Sequence, residues 1–395
     1  MSMDSMAVDT RERAERLSEA YLRDLEALVN IDSGTYCKAG VDAVGRYLRQ
    51  RFEDVGGMVT IHPQPDYGDN LVATLHGQGR GRLMLVGHMD TVFPEGEAQR
   101  RPFARRNGRA MGPGILDMKS GLVVALYALL VLREQGFTDF ETINVVCNSD
   151  EEIGSPASRP LIQEVARNSD AVFVLEPGRA NGHLVTARKG VGTYRLEVRG
   201  VAAHAGVEPQ KGRSAILELT HQIQALQALH GAIPGVTLNV GVIHGGERPN
   251  VVPDYAYALI DLRAADMDGI AAVQQAMERI TSQPTVPGTS VTLDGSFVHL
   301  PFVKSPRSAR LVALAQEVGR ELGLELSEVA SGGGSDGNTT AAMGVATLDG
   351  LGLSGALAHN PGEYIEIASI VPRIALVAQL IRRTAMACAD GTLTP

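Results

Sequence analysis

A chain of 395 residues, 44% hydrophobic and 21% charged, exceeds the roughly 250–300 residues at which a single hydrophobic core stops growing, and it is too apolar to be disordered. Its net charge of −9, with no block of lysine and arginine, excludes nucleic acid as the main partner, because phosphate recognition needs a basic surface. Two domains and a small-molecule partner are expected.

In chain order, the segment MSMDSMAVDTRERAERLSEAYLRDLEALV sets Leu17, Tyr21, Leu25 and Leu28 at helical spacing, so it reads as a surface helix of the mature protein and not as a charged-then-apolar secretion leader. Helices are predicted next at 41–55 and 122–135, and strands at 70–76, 83–87, 143–147 and 171–175. This alternation implies a mostly parallel sheet with helices on both faces. The longest apolar stretch, 121–132, is shorter than the about 20 residues of a bilayer-spanning helix, so no membrane segment is expected. After Gly190 the texture changes: 193–198, 238–243 and 255–262 read as strands around a helix at 214–230, the pattern of a two-layer α+β unit. Alternation resumes near Leu311 and ends in a helix at 368–387. The predicted fold class is α/β, with an inserted domain at 191–301 dividing a larger domain into 1–190 and 302–395. Cys37, Cys147 and Cys388 are few, widely spaced and odd in number, which encodes neither a disulfide framework nor a CxxC metal site and fits a reducing cytoplasm.

Four motifs place histidine or acids where strands end, which in an open α/β sheet is the crevice that receives ligands. LMLVGHMD, 83–90, closes an apolar strand with His88 and carries Asp90 two positions on. Residues i and i+2 share a face of extended chain, so Asp90 is placed to hydrogen-bond the His88 ring and hold it for a metal. GPGILDMKSG, 112–121, carries Asp117 in a glycine-rich loop ahead of a helix; NSDEEIGS, 148–155, sets Asp150, Glu151 and Glu152 side by side; VFVLEPG, 172–178, closes a strand with Glu176. Singly, each has an ordinary explanation: a hydrogen-bonded surface histidine, a helix cap, a solvated acidic face, a turn residue before Pro177. Together they would pool carboxylates on one rim with no visible basic counterweight, and a pair of divalent metal ions relieves that repulsion.

The set GHMDTVFPEG, GPGILDMKSG, DEEIGS, LEPG, AAHAG, SGGGSDGN and LAHNPGEYI resembles, in order and across nearly the whole chain, the di-zinc family of aminoacylases, succinyl-diaminopimelate desuccinylases and glutamate carboxypeptidases, closest to the glutamate carboxypeptidase-like branch. The resemblance implies that His88 and Glu176 hold one zinc, Glu152 and His359 the other, and that Asp117 bridges them. It makes Glu151 the general base and Asp90 the partner of His88, and it implies a cis peptide between Asp117 and Met118. Asp150 has no role in this pattern. Two zinc ions roughly 3.5–4 Å apart lower the pKa of a shared water toward about 7, and cobalt or manganese suits the same N and O ligands.

The resemblance also gives the inserted domain a lid and dimerisation role, so that His204 of a homodimer's partner copy steadies the tetrahedral oxyanion. Asn250 in RPNVVP and Arg263 in IDLRAAD match positions that bind the substrate's carboxylate end; a turn asparagine and a surface ion pair are their alternatives. Gly332, Gly333 and Gly334 are expected to offer backbone N–H groups to substrate, or simply to form a tight turn. One departure weakens the tie to glutamate carboxypeptidases: they carry a second acid after the bridging aspartate and a glycine pair after the lysine, where this chain has Met118 and Lys119-Ser120-Gly121; deacylase relatives carry methionine there. The expected activity is release of a C-terminal amino acid, glutamate among the candidates, from a peptide or N-acyl conjugate. An N-acyl amino acid deacylase and a non-catalytic binding protein are the alternatives.

Overall fold

Strands 82–88 and 142–148 are apolar almost throughout because they lie inside a sheet covered on both faces, where most positions are buried. The computed structural model describes residues 3–179 and 182–391. The chain divides into two compact units, one of Met1–Ala187, Lys304–Ala330 and Ser335–Pro395, the other of Arg188–Val303 and Ser331–Gly334.

The first unit is built on a six-stranded sheet in the order Met58–His62, Asn70–His76, Thr142–Asn148, Arg82–His88, Ala171–Val174, Ala346–Leu348. The last four strands run parallel; the first two pairings are antiparallel. Successive residues of one strand bury on opposite faces: Leu83 and Leu85 join the core under helices Met3–Val29, Ser120–Glu134 and Ile370–Ala389, whereas Met84 and Val86 pack with Ile162 and Ala166 of helix Arg159–Arg167. The N-terminal helix buries Tyr21, Leu25 and Leu28 completely. The helical stretch Ile115–Glu134, 20 residues, is long and apolar enough to cross a bilayer, but 89% of its most apolar window is buried inside the protein. It is a core helix.

Register then positions the site. His88 pairs with Asn148, and Val86 pairs with Val174. Advancing two residues from the second pair brings His88 level with Glu176, while Glu151 and Glu152 follow Asn148 by three and four residues. The strand ends thus deliver an imidazole and three carboxylates to one rim.

The second unit is a four-stranded antiparallel sheet in the order Thr237–Gly245, Tyr255–Ala264, Gly190–Arg199, Ser290–His299. Helices Ala215–Gln227 and Met267–Thr281 pack on it through Leu219, Leu226, Val273 and Met277, against Leu196, Val198, Ile260 and Leu262. Strand 255–264 alternates strictly between buried and half-buried positions. The sequence reading missed strand 290–299, where Asp294-Gly295 interrupts the alternation, and helix 267–281. The glycine run Ser331–Gly334 belongs to this unit because Lys189 N–H donates to the Ser331 carbonyl at 3.0 Å and the Arg188 guanidinium donates to the carbonyls of Gly333 and Gly334 at 3.3 and 3.2 Å.

Candidate metal centre

His88 is 1% exposed, and its Nδ1 lies 2.9 Å from the main-chain oxygen of Asp90. A carbonyl only accepts, so Nδ1 carries the proton and Nε2 is left as the coordinating atom. The shorter contact to Asp90 is with its backbone, because the chain turns directly after the strand; the expected carboxylate partner, Asp90 Oδ1, faces the same nitrogen at 3.4 Å. The carboxylate instead accepts from Thr35 Oγ1 at 2.7 Å and from the N–H groups of Glu151 and Glu152 at 3.2 and 3.3 Å. Asp90 therefore ties the histidine-bearing strand to the glutamate pair.

Around Nε2 of His88 stand Asp117 Oδ1 at 3.2 Å, Glu176 Oε1 at 3.5 Å and Glu151 Oε2 at 3.8 Å. The other oxygen of Asp117 faces His359 Nε2 at 3.1 Å, and Glu152 Oε2 approaches the same nitrogen at 3.2 Å. Asp117 is thereby shared between two imidazoles, one oxygen to each. Ligand atoms of His88, Glu151 and Glu176 lie within 4.8 Å of one another, as do those of His88, Asp117 and Glu152. Distance places Glu151 in the same basin as the other carboxylates.

Asp117 is held by a residue the sequence reading passed over. Glu363, fully buried, accepts the N–H groups of Gly114, Leu116 and Asp117 at 3.0, 2.7 and 2.9 Å. The Asp117–Met118 peptide is cis. Met118 is buried and packs over Gly87, where a Cβ would stand 2.6 Å from the Met118 terminal methyl. The position that departs from the carboxypeptidase pattern is therefore a core position. Lys119 is also buried and donates to the Ile31 carbonyl at 2.8 Å; burial lowers its pKa to about 7. Asp150, left without a role by sequence, is buried and accepts the N–H groups of Ala157 and Ser158. Asp336, in the SGGGSDGN motif, is buried against Asn148 Nδ2 at 2.9 Å and Ser155 Oγ at 2.5 Å, and burial raises it to about 7.

The electrostatics are those of a cation site. Burial pushes Glu151 well above the usual carboxylate range and also raises Glu152. Burial alone would lower His88, but the carboxylates of Asp117, Asp90 and Glu176 outweigh it and raise the ring. His359 rises to about 10 through its bonds to Asp117 and Glu152. Without metal, protons on the imidazoles offset the carboxylate charge. Among the described residues Glu152 Oε1 is buried with no hydrogen-bond partner, a cost relieved by a cation. The donor set, imidazole nitrogen and carboxylate oxygen without thiolate, fits zinc, and also cobalt or manganese.

The remaining predicted residues lie in the second unit. Exposed His204 and Asn250 are neighbours there: Ala203–His204 pairs with Val251–Val252, and the Asn250 carbonyl accepts the Ala205 N–H at 3.0 Å. Arg263 grips Asp261 at 2.8, 2.9 and 3.1 Å, the ion pair named as its alternative. Of the three glycines, Gly333 donates its N–H to Ser331 Oγ at 3.2 Å, while the carbonyls of Gly333 and Gly334 receive Arg188; Gly332 has open space around its Cα.

This arrangement has relatives. The sequence profile described as Peptidase family M20/M25/M40 matches residues 84–383. Carboxypeptidase G2 of Pseudomonas sp. (strain RS-16) is 32% identical over 370 residues, covering 92% of this chain and 88% of that protein. Acetylornithine deacetylase of Myxococcus xanthus is 28% identical over 370 residues, covering 89% and 92%. Among solved structures, a tripeptidase from Staphylococcus aureus superposes with a TM-score of 0.81 at 26% identity, covering 93% of this chain and 99% of that one. A profile match over most of the chain, beginning at the histidine-bearing strand and reaching past His359, makes this protein a hydrolase of the metallopeptidase or amidohydrolase kind: it belongs to peptidase family M20/M25/M40.

Proposed function

We propose that the protein hydrolyses an amide bond to release an amino acid with a free carboxylate from a peptide or N-acyl conjugate, using two metal ions. The observation that carries this reading is Asp117, with Oδ1 facing His88 Nε2 and Oδ2 facing His359 Nε2 at 3.2 and 3.1 Å. One site is then His88, Asp117 and Glu176, the other Asp117, Glu152 and His359. Zinc bound there supplies Lewis acidity that acidifies water and polarises the scissile carbonyl. The Asp90 carbonyl fixes the His88 ring, and the Asp90 carboxylate aligns the backbone of Glu151 and Glu152. Glu151, raised above the ordinary carboxylate range by burial, is suited to take a proton from the attacking water and return it to the departing amine, the work of a general acid and base.

The likeness to carboxypeptidase G2 supports release of a C-terminal amino acid, with glutamate among the candidates. The likeness to acetylornithine deacetylase, with Met118 at the position where deacylases carry it, supports the second reading, an N-acyl amino acid deacylase. His204 and Asn250 complete the proposal as groups for the oxyanion and the substrate carboxylate, acting in a homodimer formed through the second unit; Arg263 joins them by exchanging its ion pair with Asp261 for the substrate carboxylate, and the sparse free cysteines fit a cytoplasmic enzyme. Zinc-loaded protein assayed against N-acyl and N-peptidyl amino acids, with chelated protein as control, tests the activity; release of free amino acid from neither set contradicts it. Mixing inactive His204→Ala with inactive Glu151→Gln protein tests the dimer: subunit exchange should restore part of the activity, and no recovery despite verified exchange places His204 outside a shared site.

A further inference from the structure

Beside Glu152 the loops 34–37 and 91–95 wall a cleft of about 530 Å³. Its apolar surface comes from Tyr36, Val92, Phe93, Pro94 and Ile153. Among the described residues its charged lining is Glu95 and Glu152, and no lysine, arginine or histidine contributes. The walls are rigid. Thr35 N–H donates to the Thr91 carbonyl at 3.2 Å, Thr91 N–H to the Ser33 carbonyl at 2.8 Å, and the Asp32 carboxylate accepts the N–H groups of Gly96 and Ala98 at 2.8 and 2.7 Å. The loops approach so closely at Gly34 that a Cβ would stand 2.4 Å from the Phe93 carbonyl oxygen. The Tyr36 ring leans on Tyr67, centroids 6.1 Å apart, which steadies the outer wall. The cleft therefore exists before substrate arrives, as ligand pockets usually do.

We infer that this cleft receives the acyl side of the substrate and selects a bulky, apolar acyl group without negative charge. The inference rests on the proposed release of an amino acid bearing a free carboxylate. Such a leaving group needs a cation or a set of donors, and no lysine, arginine or histidine lines this cleft among the described residues; with Glu152 given to a metal ion, Glu95 is the charge left facing it, and the acyl side is what remains to fill the space. Glu95 also disfavours an acidic acyl group such as succinyl. An acetyl group leaves most of the volume empty and forgoes the contact with Phe93 and Tyr36, and lost apolar contact lowers specificity for the small group. Of the activities open to this fold, the cleft thus selects those that remove large hydrophobic acyl or aminoacyl groups.

The test holds the leaving amino acid constant as glutamate and varies the acyl group: N-benzoyl, N-acetyl, N-succinyl, and phenylalanyl with a free amine. With zinc-loaded protein, kcat/KM for the benzoyl compound should exceed that for acetyl and succinyl by about tenfold or more, the range set by a few apolar groups in a pocket. Val92→Lys, at a partly exposed position, should narrow the benzoyl-to-succinyl ratio by about tenfold by placing a cation in the cleft, and Val92→Ala should leave the preference for benzoyl over succinyl in place. Calorimetric binding of the same compounds to zinc-loaded Glu151→Gln protein should follow the same order. Equal rates across the acyl series, a preference for succinyl over benzoyl or phenylalanyl, or ratios unmoved by Val92→Lys overturn the inference. If no compound is hydrolysed, the proposed function fails, and the binding order in the Glu151→Gln protein still decides whether the cleft prefers apolar acyl groups.

Discussion

The two histidines of the centre reach the same aspartate from opposite kinds of structure. His88 ends a central strand, is 1% exposed, and has its ring locked by a main-chain carbonyl. His359 sits in a turn with a left-handed backbone, φ 62°, its side chain 53% exposed and held by the carboxylates of Asp117 and Glu152. The sheet builds the first half whether or not a cation is present. The second half depends on charge, so protons and metal should govern it far more strongly.

The largest effect should come from the rigid half. Glu151→Gln keeps the shape of the side chain but removes the base, and turnover should fall by roughly 10²–10⁴ with metal content unchanged. Steady-state kinetics and metal analysis on the same sample check this; loss of metal would make Glu151 a ligand.

Next is the pH dependence of metal binding, which probes the charge-held half. A ligating imidazole must be neutral, and His359 is held protonated up to about 10 by Asp117 and Glu152. Below that value binding expels its proton, so apparent affinity should rise with pH, about tenfold per unit for each proton released. His88, also raised, acts in the same direction. Titration calorimetry in buffers of different ionisation heat reads the protons directly, and His359→Ala should remove part of the slope. A pH-independent affinity between about pH 6 and 8 would contradict the charge-held description.

Asp90→Ala should cost about 10–100-fold in metal affinity, the usual effect of removing a group that orients ligands, because it frees the backbone of Glu151 and Glu152 while leaving the His88 ring on its carbonyl. Equilibrium competition with a chelator measures it. Smaller still is Glu363→Gln. One of its three N–H partners would face an amide donor, destabilising the fold by about 1–3 kcal/mol. Denaturant unfolding of the metal-free protein reads that loss, and an unchanged stability would show that the Gly114–Asp117 turn holds without the carboxylate.

The same contrast explains what was legible in the chain. His88 and Glu176 could be placed because uninterrupted apolar strands announce their own ends, and the glutamate pair because it follows such a strand. The mostly parallel sheet with helices on both faces followed from the alternation of those runs. Less visible were the contacts that close the site. Glu363 lies 246 residues from Asp117, and no local pattern links them. Asp336 reads as an ordinary residue after glycines until the fold buries it against Asn148 and Ser155. In the second unit, Gly295 disguised a strand, and the engagement of Gly333 N–H by Ser331 depends on a hydroxyl that spacing alone does not orient.

The central claim is that one aspartate, shared by two histidines, holds two ions. Metal content of zinc-supplemented, desalted protein tests it most directly, with Asp117→Asn measured alongside. The account predicts two zinc ions per chain in the wild-type protein and weakened binding at both sites in the variant. Well under one equivalent in the wild-type protein, or an Asp117→Asn protein that keeps both ions at full affinity, would contradict it.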